Sequence, residues 1–324
     1  MRIDVHSHLY PAEYLDLMVE LGREDLRRVH RQDLEMTERV EAQDASGVGC
    51  QILSFIGLNA VVADPSGATD AAQCLNDVYA GVCEKEAGRF LSFALLPLPH
   101  VERAIEEARR ALRSSHCVGI GLPCSIGGTP LDDPQFEDLW AALDELGTTV
   151  YIHPVGADSC GHWGLDDWGL SAMFGSPMQL GIAACRLVFS GLSARFPRLR
   201  FVFAQGGGFL ASRWEAIENI VLRPGFAGHA PYMLGWVKDL DIDPDDPMGR
   251  FRDFYFDTAT FYQSPGTLAA VRQSYGVDRL VLGSDAMFGS LTEAVTFIES
   301  TGELTDDERR SVLERGDNEL LPQR

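Results

Sequence analysis

A chain of 324 residues, 45% hydrophobic and 23% charged, has the balance of a globular protein and can bury a core that needs no disulfide staple. Its formal net charge of −21 would repel a phosphate backbone, which argues against nucleic-acid binding. The seven cysteines are scattered without a CxxC pair, the opening MRIDVHSHLY has no long apolar run, and no stretch reads as ~18 consecutive apolar residues; the expectation is a soluble, cytoplasmic protein with reduced thiols and no membrane partner.

Short apolar, β-rich runs recur along the chain: RIDVH (2–6), CQILSF (50–55), FLSFALL (90–96), CVGIGL (117–122), TVYIH (149–153), RFVFAQ (200–205), DFYFDT (253–258) and RLVLGS (279–284). Each has the near-continuous apolar character of a strand covered on both faces, as parallel strands are. Between them lie segments with apolar residues at three- and four-residue spacing, such as VERAIEEARRALRSS (101–115) and FEDLWAALDELG (136–147), which predict helices. Eight strand-then-helix units predict a single (β/α)8-barrel domain over residues 1–324, of the TIM-barrel kind. An open doubly wound sheet would call for a nucleotide fingerprint, and GGG at 206–208 is not GxGxxG; it suits a tight turn near a ligand. Two long loops, 156–177 and 222–250, follow the fifth and sixth strands on the face where barrel enzymes carry their chemistry. Within the second, DLDIDPDD (239–246) reads as a solvated loop.

His6 and His8 close the first strand two residues apart, so both imidazoles can face one point at the barrel mouth. His153 ends the fifth strand and Asp285 follows the eighth, at the same end of the barrel. A lone strand-end histidine is more often a structural hydrogen bonder, and Asp285 alone could cap a helix. Two buried imidazoles side by side, joined by a third and a carboxylate, are costly without a shared cation. The four together predict one divalent metal, Zn²⁺ first, with Fe²⁺, Mn²⁺ or Co²⁺ acceptable to the same donors.

The motif IDVHSH, the segment LDDPQFEDLWAALDELGTTVYIHP, the run LVFSGLSARFPRLRFVFAQGGG and the ending RLVLGSDAMF together resemble the amidohydrolase-related family typified by aminocarboxymuconate semialdehyde decarboxylase. The likeness extends over nearly the whole chain, to the closing DNELL. It implies a metal with a bound water at the barrel mouth and non-oxidative decarboxylation of an aromatic or unsaturated carboxylic acid; relatives are hydratases or hydrolases. Such barrels often form homodimers. Members of the family usually carry a histidine before the glycines after the sixth strand, as general acid or base, whereas this chain has Gln205. A carboxamide can orient water or bind a substrate oxygen but does not exchange protons near pH 7. Asp285, if loosely coordinated, or His162 from the loop after the fifth strand, then becomes the candidate proton carrier.

Cys124, after the fourth strand, reads as pocket-facing or core. Trp163, Trp168, Phe174, Tyr262 and Phe288 lie in strand-end loops and could line an apolar pocket or pack as lid or core. His30, His100, His116 and His229 have no convergent partners and suit surface or capping roles. Four functions fit these residues: a metal-dependent lyase acting on a small planar carboxylic acid, a hydratase or hydrolase, an iron oxygenase in a biosynthetic pathway that dispenses with the missing histidine, and a metal-stabilised binding protein without activity.

Overall fold

The computed structural model describes residues 1–56, 61–155, 164–165, 167–222, 246 and 248–321, without the side chains of 220–222. A strand forms at each of the eight apolar runs: β1 (Ile3–His8), β2 (Cys50–Ser54), β3 (Phe90–Ala94), β4 (Cys117–Pro123), β5 (Thr149–His153), β6 (Arg200–Phe203), β7 (Tyr255–Asp257) and β8 (Leu280–Val281). They pair in chain order, every neighbouring pair parallel. β1, β2, β3 and β5 are buried at every position, which explains their unbroken apolar character: helices cover one face and the barrel interior fills the other. The last and first strands close the sheet. Val5 N donates to Leu282 O and His8 N to Ala286 O, both at 2.9 Å, and Ser7 bridges Ala286 in parallel.

The helices follow the sequence closely. Val101–Ala111 buries Ala104, Glu107, Ala108 and Ala111, the face its spacing marks; the helix is shorter than the 101–115 pattern because the chain must turn to enter β4 at Cys117. Glu137–Glu145 buries Leu139, Trp140, Ala142 and Leu143, and the chain leaves it through Gly147 at φ 62°. Pro65–Lys85 starts from Asp64, whose carboxylate accepts from Gly67 N at 2.7 Å, with proline in the first turn where no amide donor is needed.

One helical segment differs from the sequence reading. Ser171–Phe189, 19 residues with a mean hydropathy of 1.2 in an 18-residue window, is by length and composition long and apolar enough to cross a membrane, although the chain was expected to hold no such stretch. Its inner face packs Leu180, Ala183, Ala184, Leu187 and Val188 into the barrel core, while Met173, Phe174 and Ile182 stay exposed on the outer one. The apolar outer face is what the strand-and-helix alternation did not mark.

Candidate metal centre

The alternation along β1 sends Asp4, His6 and His8 to the inside of the barrel, and the same row continues past the strand end to Tyr10. Asp4 lies deepest. It accepts from Gln51 Nε2 (2.8 Å), Ser284 Oγ (2.6 Å), Ser284 N (3.0 Å) and His6 N (3.1 Å), which ties β1 to β2 and to the end of β8. Burial raises its pKa against those donors. From the other side Arg39 donates to Ser7 Oγ (2.8 Å) and to His8 O, so the backbone carrying both histidines is fixed from two directions.

On this frame His6, His8, His153 and Asp285 meet. All four are buried, and one ligand atom from each lies within 4.8 Å of the others. The imidazole centroids are 4.9–5.0 Å apart and each pair of rings is nearly perpendicular, so the rings converge by their edges rather than stacking. Each outer nitrogen is engaged. His6 Nδ1 donates to Asp257 Oδ2 (3.0 Å), His153 Nδ1 to Pro154 O (2.6 Å) and His8 Nδ1 to Ser54 Oγ (3.3 Å). With the proton on Nδ1, each Nε2 presents a lone pair inward, the arrangement that orients metal-binding histidines. His6 Nε2 and His8 Nε2 both stand 3.2 Å from Asp285 Oδ1. His153 Nε2 and Asp285 Oδ1 are buried without a hydrogen-bond partner. Such orphaned atoms are expensive unless something completes them, and the donor set of three imidazoles and a carboxylate fits a divalent ion.

The electrostatics agree. Burial opposes charge on every imidazole; it prevails at His8 and His153, whose pKa values are lowered, leaving both neutral. At His6 burial is outweighed by Asp257 and Asp285, which raise the pKa to about 10. Burial would also raise the Asp285 carboxyl, but His6 and His8 reverse this and hold it ionised, far below the carboxylate range. The centre demands positive charge at the point where the four atoms meet, supplied by a proton on His6 or by a divalent ion.

Asp257 is the residue the sequence reading missed. At the end of β7 and fully buried, it receives four donors: His6 Nδ1 and Tyr151 OH (2.8 Å) on Oδ2, Gln205 N (2.8 Å) and Ala259 N (2.9 Å) on Oδ1. Its signal in the sequence was a strand-end aspartate in DFYFDT, the same signal that marked Asp285. Gln205 itself sits in the left-handed region at φ 51°, followed by Gly206, Gly207 and Gly208 at φ 62–74°. Here the glycines do form a tight turn: a Cβ on Gly208 would come within 2.1 Å of Pro177 O. The Gln205 carboxamide is half-buried and has no hydrogen-bond partner among the described residues. Asp285, at φ 58°, is also left-handed, a backbone state that non-glycine residues adopt at a cost and that gathers at functional sites.

Of the aromatic candidates, Phe288 reaches the centre: its ring lies 5.8 Å from that of His8. Phe174 instead lines an outer groove with Met178, Ile182 and Phe209 that none of the four converging residues touches, and Trp168 projects into solvent, 86% exposed. Tyr262 accepts from Ser290 N at 3.0 Å and buttresses the 285–290 turn. Cys124 is buried within the core. His30 is exposed and His100 is paired with Val62 O, away from the centre. His162, Trp163 and His229 lie outside the described residues, as do Cys160 and all the rest of 156–163 and 223–245.

A parallel barrel carrying such a donor set at the C-terminal ends of its strands defines a class of metal-dependent barrel enzyme. The chain belongs to the amidohydrolase family, whose model matches residues 3–315. It is similar to the 2-amino-3-carboxymuconate-6-semialdehyde decarboxylase of Dictyostelium discoideum, 27% identical over 97% of this chain and 89% of that protein. It is also similar to the gamma-resorcylate decarboxylase of a Rhizobium species, 28% identical over 81% of this chain and 80% of the relative. Among solved structures, a dihydroxybenzoic acid decarboxylase from Polaromonas sp. JS666, holding manganese and the inhibitor 2-nitroresorcinol, superposes with a TM-score of 0.79 at 22% identity, covering 98% of this chain and 96% of that one.

Proposed function

We propose that this protein is a metal-dependent, non-oxidative decarboxylase of a planar aromatic or unsaturated carboxylic acid. The observation that carries the proposal is the convergence of His6 Nε2, His8 Nε2, His153 Nε2 and Asp285 Oδ1, the last two buried without a hydrogen-bond partner, at the mouth of a barrel whose named relatives are decarboxylases. The four residues would hold one divalent ion; three imidazoles and a carboxylate favour Zn²⁺, and manganese is what the Polaromonas relative holds.

Held by these four residues, a divalent ion would supply Lewis acidity toward the substrate's oxygen atoms. The chain's own groups do the rest. Asp257 and Tyr151 fix the His6 ring, and Phe288 offers an aromatic face beside the centre. The Gln205 carboxamide can give or accept a hydrogen bond but carries no proton to carbon. Asp285, with Oδ1 toward His6 and His8, can carry a proton on Oδ2 from a substrate hydroxyl to the carbon that loses CO₂. The broken C–C bond leaves its electron pair on that carbon, where the proton arrives.

The test is direct. Protein purified without added metal is analysed for bound metal, loaded with Zn²⁺ or Mn²⁺, and offered gamma-resorcylate, salicylate and 2-amino-3-carboxymuconate-6-semialdehyde. Release of CO₂ that is abolished by replacing His6 and His8 with Ala is expected. A loaded wild type that releases CO₂ from none of these acids refutes the reading.

A further inference from the structure

We infer that Tyr10 is a substrate-contacting residue of this site, its hydroxyl donating a hydrogen bond to an oxygen of the planar acid; the inference rests on the decarboxylase reading. Tyr10 extends the inward row of β1 and is 1% exposed. Its ring is clamped, 4.9 Å from Phe55, 5.9 Å from the His8 ring and 6.3 Å from Phe288. Its backbone is committed as well: the amide donates to Gln32 Oε1 at 2.8 Å and the carbonyl accepts from Gln32 N at 3.0 Å. Only the hydroxyl is idle, with no hydrogen-bond partner among the described residues. Neighbouring phenols are satisfied, Tyr79 by Leu9 O and Tyr151 by Asp257. Tyr14 also has an unpaired hydroxyl, but its ring packs on Phe55, within the cluster under the helix Ala12–Glu20, and touches none of the converging imidazoles.

The Tyr14 hydroxyl is sealed within the protein, whereas that of Tyr10 is unpaired without being fully enclosed, so a ligand oxygen can reach it and take its hydrogen bond in place of water. Because ring and backbone are already fixed, the hydroxyl loses little freedom on binding. The aromatic faces of Tyr10 and Phe288 beside the His8 ring suit a flat, conjugated acid rather than a bulky aliphatic one. The donor is a neutral O–H, so it selects for an oxygen acceptor without adding charge to the centre.

The experiment compares Mn²⁺-loaded wild type with Tyr10→Phe, using gamma-resorcylate as probe. The readouts are the dissociation constant, kcat and KM, bound metal, and melting temperature with and without probe. Phe keeps the ring, so the barrel should fold. The expected result is probe binding weakened by about 10–100-fold, the range for a hydrogen bond to a charged oxygen, with metal content unchanged. The melting temperature without probe should not fall, and the probe-induced rise should be lost. Equal binding by both proteins, or a lower melting temperature in Tyr10→Phe without probe, overturns the role of Tyr10 and leaves the decarboxylase reading intact. If wild type neither binds nor decarboxylates any of the three acids, the decarboxylase reading fails and this inference falls with it.

Discussion

Replacing Asp257 by Asn tests whether the centre depends on a tautomer imposed from behind. The carboxylate accepts from four donors, two on each oxygen. An asparagine has one acceptor oxygen and one NH₂ group. If the NH₂ faced Gln205 N and Ala259 N, two buried amides would lose their acceptor at about 1–3 kcal/mol each. The other orientation therefore wins: the amide oxygen keeps the two backbone donors, and NH₂ turns toward Tyr151 OH and His6 Nδ1. The tyrosine hydroxyl can rotate to accept. His6 can accept only by moving its proton to Nε2, the atom aimed at the other ligands. Losing such an outer partner lowers metal affinity by about 10–100-fold, equivalent to about 1.4–2.7 kcal/mol. Competition against a chromophoric chelator at pH 7 measures this, with Tyr151→Phe as the control that removes one donor and leaves the His6 tautomer alone. An Asn variant that binds Zn²⁺ or Mn²⁺ within about twofold of wild type would refute the reasoning.

Gln205→His should raise turnover of a simple aromatic acid and add a pH dependence near the ordinary imidazole pKa of about 6.5; the left-handed backbone there suits histidine better than most residues. A change below about twofold, ~0.4 kcal/mol of transition-state energy, would make Gln205 a bystander. Glu308, which caps the helix Asp306–Arg315, is held at about 2 by its hydrogen bond to Arg272 and by the Thr305 amide. A depressed carboxylate stabilises above its unfolded pKa and loses that contribution as pH falls through the folded one. Wild type should therefore melt above Glu308→Gln at pH 6, and the gap should close between pH ~4.5 and ~2; a gap that persists at pH 2 would assign the effect to something other than ionisation.

The barrel was legible because its cause is local. Parallel strands covered on both faces must be apolar throughout, and eight such runs separated by helical spacing leave few other architectures. His6 and His8 were legible for a related reason: a period of two fixes the side of a strand whatever the rest of the chain does. The same period contained Asp4 and Tyr10, but nothing in IDVHSHLY separates a ligand from the aspartate beneath it or the phenol above it. That depends on depth along the barrel axis, which the closure of β8 onto β1 sets. Asp257 meets His6 although 251 positions separate them in the chain, because closure of β8 onto β1 brings β7 to within two strands of β1. Asp285 Oδ1 faces the Nε2 atoms of His6 and His8, whereas Asp257 Oδ2 stands behind His6 at Nδ1, a difference that the residue names do not encode. The sequence determined which donors stand at the barrel mouth, since strand order and periodicity are local properties; only tertiary closure decided which of them meet, because the distances between strand ends are set by the whole cylinder at once.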